Sequence, residues 1–149
     1  MVRMIRSSIE IDRPPADVFA YVEQLDRHGE WQPAIVSARK EPTGPTRVGT
    51  RNIEVRRVPG GPREFVAEII EYDPPRRIKA QGVSAGPIRP TITVTIEPLN
   101  AGTRSRFTLE LVLEGRGIGK LFAIFARRAA RRDVPLDQAR LKKILEANR

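Results

Sequence analysis

The chain contains no cysteine, which excludes disulfides, thiolate nucleophiles and cysteine-ligated metals. A single histidine among 149 residues also excludes a histidine-rich metal site, and neither metal nor cofactor is expected. Aromatic residues are scarce, with one tryptophan, two tyrosines and five phenylalanines. Long apolar runs are missing. The longest, Leu121 to Ala126, falls far short of the roughly 20 residues that a membrane-spanning helix needs. The first residues, Met1-Val2-Arg3-Met4-Ile5-Arg6-Ser7, lack the apolar centre of a secretory signal. The expected location is therefore the cytoplasm.

What remains suits one folded domain over residues 1–149. The apolar fraction is 40% and the charged fraction 30%, and a chain of this length buries roughly 70% of its unfolded surface. The net charge of +9 is distributed unevenly. Residues 1–115 hold 17 basic and 15 acidic side chains, whereas residues 116–149 hold 10 basic and 3 acidic ones. A basic C-terminal segment is either a docking face for an anionic surface or a solvated helix face.

Changes of hydrophobic period divide the chain into elements. Val2 to Ile11 reads as a strand. Asp12 then offers a cap and Pro14-Pro15 a first helical turn, followed by Val18, Phe19, Val22 and Leu25 at helical spacing. A second short helix over Asp26–Glu30 ends near Gly29. From Ala34 the period becomes two, predicting strands over Ala34–Glu41, Thr50–Val58, Arg63–Tyr72, Arg77–Ala85, Thr91–Glu97 and Arg104–Leu113, separated by proline and glycine turns. The helical period returns with Phe122, Ala126, Ala130, Val134, Leu141 and Leu145. Pro135 lies within that pattern and predicts a kink or short break near Asp133–Pro135. Strands following one another without intervening helices imply an antiparallel meander. The expected fold is α+β: a seven-stranded curved antiparallel sheet wrapped around a long C-terminal helix, with two short helices between strands 1 and 2. One helix does not fill the concave face of such a sheet, so an internal apolar cavity is expected, in keeping with small-molecule sites generally.

Several strings reinforce this architecture. Ser8-Ile9-Glu10-Ile11 with Pro14-Pro15-Ala16-Asp17-Val18-Phe19 opens the chain, and Glu30-Trp31-Gln32-Pro33 follows. Gly44-Pro45-Thr46-Arg47-Val48-Gly49-Thr50, Glu71-Tyr72-Asp73-Pro74-Pro75-Arg76-Arg77 and the final helix Ala139–Glu146 complete the set. In order and spacing the chain resembles the SRPBCC superfamily, the START-like helix-grip domains that include the polyketide cyclase/dehydrase family. The resemblance implies a pocket for a lipid, hormone or polyketide, and in some members aromatase/cyclase activity.

Strand parity nominates the lining. Phe107 and Leu109 share a face of one strand, with Ile92 and Val94 beside them. Ile53 and Val55 are expected to point inward, which would place Arg51 and Arg57 on the same face as polar groups able to bind a carboxylate or enolate. Ser105 is the polar exception on its strand. Trp31 is either a pocket wall or an ordinary core tryptophan, and Phe122, Phe125 and Ala126 complete the lining from the final helix.

No catalytic residue is nominated. His28 lies in a short polar stretch and is expected to be solvated. Gly115-Arg116-Gly117-Ile118-Gly119-Lys120 fails as a phosphate loop, because Glu114 stands where the first glycine should be and Leu121 where a serine or threonine should be. It is expected to be a turn from strand into helix. Arg127, Arg128, Arg131 and Arg132, extended by Arg116 and Lys120, form a basic face. Nucleic acid is not expected, since no aromatics interleave with the arginines. Docking to a membrane surface is a weaker expectation than a solvated face, for want of an adjoining exposed apolar cluster. Two functions from different classes follow: binding or carriage of a small hydrophobic ligand, or a cyclase or dehydratase acting by proton transfer in the same cavity.

Overall fold

The period-two segments pair into one sheet, shown by a computed structural model that describes residues 4–83 and 86–148. In chain order the elements are β1 (Met4–Ile11), α1 (Pro15–Val22), a 3-10 helix (Leu25–Glu30), β2 (Ile35–Glu41) and β3 (Arg51–Val58). There follow β4 (Gly61–Asp73), β5 (Arg77–Gly82), β6 (Ile88–Leu99), β7 (Arg104–Gly115) and α2 (Gly119–Ala147). All neighbours are antiparallel in the order β1-β7-β6-β5-β4-β3-β2, which leaves β1 and β2 as edges. This is the expected curved seven-stranded sheet with a long C-terminal helix and two short helices after β1. Two predicted strands, Val2–Ile11 and Arg77–Ala85, each run into positions outside the described residues.

α2 packs mainly on β1 and β7 and less on β6, while α1 meets β6 and β7. The core sits under α1 and the second half of α2, where Ile11, Val18, Phe19, Trp31, Ile96, Phe107, Leu141 and Leu145 are buried together. Polar clamps hold that half of α2. Ser7 Oγ donates to Gln138 Oε1 at 2.6 Å, and Gln138 Nε2 donates back to the Ser7 carbonyl at 2.8 Å. Arg13 Nη1 donates to the Leu145 and Asn148 carbonyls at 2.8 and 2.9 Å, satisfying acceptors that a helix C-terminus leaves open.

Two local expectations are corrected. α2 is continuous through Pro135. The proline costs the Arg131 carbonyl its helical donor, but Pro135 is exposed, so water can serve that carbonyl and no break is needed. Asp12 does not cap α1: the cap position is Pro14, without a side-chain cap bond, and Pro15 opens the helix. The Asp12 amide instead donates to Glu146 Oε2 at 2.9 Å. The second short helix forms as expected, as a 3-10 helix over Leu25–Glu30.

The turn from β7 into α2 is where glycine is required. A Cβ on Gly115 would lie 2.2 Å from the Gly119 carbonyl oxygen, and one on Gly119 would lie 2.1 Å from that of Pro87. The glycines are therefore there for backbone contact, as a strand-to-helix corner.

Candidate ligand cleft

Pairing fixes which side chains share the concave face, because directly paired residues point to the same side. Ser7 contacts α2 through Gln138, so its partner Leu109 faces inward. The register then carries that face from Leu109 to Val94, from Leu111 to Ile92, from Ile92 to Ala80, from Ala80 to Ile69 and from Gly82 to Ala67. From Ala67 it passes to Asn52 and from Phe65 to Glu54. The inward residues of β3 are thus Asn52, Glu54 and Arg56.

This reverses the expected parity of β3. Ile53 and Val55 point to the convex side, where Ile53 faces Arg39 and Val66 across the ladder. Arg51 goes with them and pairs with Glu68 at 3.3 Å. Arg57 is exposed and donates to the Pro33 carbonyl at 3.0 Å. A slip of one residue exchanges every side chain between faces; the expected parity fails here because the apolar set of β3 is not the inward set.

Other nominated residues separate by accessibility. Phe107 is 0% exposed and Trp31 2%, so no water-sized space touches Phe107, and both belong to the solid core. Their rings meet edge-on at 6.2 Å. Ser105 is also fully buried and donates to the Arg13 carbonyl at 2.7 Å, which makes it a structural link instead of a pocket group. Val94 sits at the core margin. Leu109 and Ile92 face inward yet remain half-buried, as do Leu111, Ala80, Ala67 and Phe65. These inward-facing, partly exposed apolar groups mark the concave face beside the first half of α2 as the candidate cleft. Ala126 is half-buried as well, whereas Phe122 and Phe125 turn outward and are exposed; neither lines the cleft.

The cleft has a polar wall that parity alone concealed. Arg56 Nη1 donates to Glu54 Oε1 at 2.8 Å and to Gln32 Oε1 at 3.0 Å. Asn52 Nδ2 donates to Glu54 Oε2 at 3.2 Å, and its Oδ1 is buried without a hydrogen-bond partner. Asp137, in the second half of α2 and close enough to Arg56 to feel its charge, is buried and accepts from Arg140 Nη1 at 3.0 Å. Burial pushes the Asp137 carboxyl up to about 6, against the opposing pull of Arg56 and Arg140. Arg56 acts here through its field, since no ion pair joins the two residues.

His28, expected to be solvated, is half-buried. Its Nε2–H donates to the Val22 carbonyl at 2.7 Å, and its ring lies edge-on to Trp31 at 5.3 Å. Burial lowers its pKa, with the Val22 bond and the Glu54 charge acting in the opposite sense. The ring is therefore neutral and structural near pH 7. Among the described residues no cluster of side chains is arranged to hold a metal ion, and no helix is long and apolar enough to cross a membrane.

Comparison with known proteins accords with the overall fold. Residues 3–146 match the family model described as polyketide cyclase / dehydrase and lipid transport. No curated protein sequence matches the chain. Among solved structures, the Zhui aromatase/cyclase from Streptomyces sp. R1128 superposes with a TM-score of 0.84 at 12% identity, covering 98% of this chain and 94% of that one. A protein from Thermus thermophilus gives 0.79 at 19% identity, covering 98% and 99%. A START superfamily protein from Mycobacterium smegmatis gives 0.74 at 13% identity, also covering 98% and 99%. At these identities the likeness establishes the fold alone.

Proposed function

This chain belongs to the polyketide cyclase / dehydrase and lipid transport family, and we propose that it binds a small, largely apolar molecule carrying an oxygen-bearing polar end. The observation behind this reading is the division of the cleft into two kinds of wall. Leu109, Leu111, Ile92 and Phe65 offer apolar surface to a ring system or acyl chain, and Arg56, Asn52 and Asp137 offer donors and acceptors to a carbonyl, hydroxyl or carboxylate. Such a pairing of broad apolar contact with a few placed polar groups is typical of small-molecule sites. Arg56 suits an oxygen acceptor, because a guanidinium presents fixed N–H donors.

Anilinonaphthalene sulfonate, an apolar dye with an anionic end, tests both walls. It is expected to bind the folded protein. Leu109→Trp fills the apolar side and should weaken binding, and Arg56→Gln removes a charge-assisted contact worth about tenfold or more. Unchanged dye affinity in well-folded Leu109→Trp protein would count against the cleft as the binding site. Native mass spectrometry of protein purified from its own host should show a small molecule travelling with it.

One observation favours a second reading, a cyclase or dehydratase working by proton transfer. A carboxyl with a pKa of about 6 is poised near neutral pH, as an acid–base catalyst requires, and Asp137 lies within the field of Arg56 on the candidate cleft's polar wall. For a polyketide-like substrate, Asp137→Asn would then retain binding and lose conversion. A carrier would show no conversion with either protein.

The same carboxyl makes a stability prediction independent of any ligand. Its folded pKa is raised from 3.8 to about 6, so the folded state binds the proton more tightly than the unfolded state does. The resulting stabilisation is complete below about pH 4 and disappears as the pH rises to about 6, a loss of order 2–3 kcal/mol. Asp137→Asn keeps the acceptor for Arg140 and removes the titration. The variant should melt with the wild type at pH 4 and several degrees higher at pH 7.5. Equal melting temperatures at pH 7.5 would show that Asp137 is not held in a desolvated site.

A further inference from the structure

The first turns of α2 have the opposite polarity to that of a helix whose back is in water. Toward the sheet they present Gly119 and Ala123, both buried. Outward they present Ile118, Leu121, Phe122, Ile124 and Phe125, which are between 47% and 70% exposed. Close approach of the backbone at Gly119 to Pro87 explains why only small residues fit inside. At 100° per residue the five large side chains spread over the whole outer half of the helix. A contiguous exposed patch of this kind marks an interaction surface.

The charge around the patch indicates its partner. Residues 116–132 contain six basic side chains and no acidic one. Arg128, Arg131 and Arg132 are exposed one turn beyond the apolar cluster, and Arg116 and Lys120 flank its start. Arg132 has an exposed contact with Asp133 at 3.0 Å, and Arg127 is engaged by the Leu113 carbonyl at 2.9 Å. The sequence pattern predicts no exposed apolar cluster beside these arginines, which disfavours a membrane surface; the structure supplies one. We propose that the outer face of α2 from Ile118 to Arg132 docks onto an anionic lipid bilayer, with the apolar cluster entering the head-group boundary and the arginines meeting lipid phosphates and carboxylates. Basic residues around an exposed apolar helix face are the pattern of interfacial helices. A second copy of the chain is the poorer fit, because pairing the patches would bring two arginine clusters together. The proposal does not depend on what the cleft binds.

The test is co-sedimentation of the full chain with vesicles of phosphatidylcholine, alone or containing phosphatidylserine. The wild type should bind the anionic vesicles strongly and the neutral ones weakly, with attachment falling as salt rises and the screening length shortens to about 8 Å near physiological ionic strength. Arg128→Gln/Arg131→Gln/Arg132→Gln should lose roughly a hundredfold in affinity, about fivefold for each basic residue at an anionic surface. Phe122→Ser/Phe125→Ser should lose binding to both vesicle types. Melting curves check that each variant folds; the arginine variant carries the test if the phenylalanine variant does not. Equal sedimentation of wild type and arginine variant overturns the proposal. So does a concentration-dependent dimer, by analytical ultracentrifugation, that Phe122→Ser/Phe125→Ser dissolves while vesicle binding is absent.

Discussion

Ending the chain at Lys120 is expected to abolish folding. α2 supplies the buried Ala123, Leu141 and Leu145 and the partly buried Ile144, and it covers Ile5, Ile9 and Leu109 on the concave face. Five or six large apolar side chains at roughly 1.5–3 kcal/mol each exceed much or all of the 5–15 kcal/mol that holds a typical domain together. The loss also orphans Ser7, whose hydroxyl and carbonyl are both engaged by Gln138. Circular dichroism should show a truncated chain with no cooperative melting transition. A soluble fragment that melts cooperatively would show that the sheet is stable without its helix.

Phe107→Ala should be the most costly single change at a nominated pocket residue, at about 3–5 kcal/mol. The ring is sealed between Trp31 and the sheet, and truncation leaves a void that neighbours on a β-strand fill poorly. The useful control is Phe122→Ala, whose ring is exposed and whose loss should fall within about 0.5 kcal/mol. Urea titration reads the difference as a lower midpoint with an unchanged slope. If both variants cost the same small amount, Phe107 borders open space and does not belong to the solid core.

These two residues also show where sequence reasoning succeeds and where it stops. The helical spacing of α1 and α2, the alternation of β6 and β7, and the glycines at the β7–α2 corner each follow from local chemistry, and each matches the structure. Leu109 and Ile92 lie on the concave face, as the clean alternation of their strands predicts. β3 offers no such contrast. In Arg51-Asn52-Ile53-Glu54-Val55-Arg56-Arg57 both parities contain polar residues, and the assumption that Ile53 and Val55 face inward selects the wrong one. Asp137 carries a weak signal: it is an acidic residue near the stripe of Val134 and Leu141, at a position where a solvated helix has no reason to hide a carboxylate.

The sequence by itself determined the order and type of the elements, the antiparallel meander, the absence of cysteine chemistry and the basic bias of the last segment. These depend on periodicity and composition, which act over a few residues. Tertiary structure decided the rest: the face of β3 that lines the cleft, the seclusion of Trp31 and Phe107, and the outward display of Phe122 and Phe125. The physical reason is that burial belongs to a pair of surfaces. Pairing of β3 with β4 turns Glu54 and Arg56 to the concave side, and α2 covers β1 and β7 more than the far wing of the sheet that carries them. The close seat of Gly119 on Pro87 likewise sends the large side chains of α2 outward, and neither distance is written in the spacing of the residues.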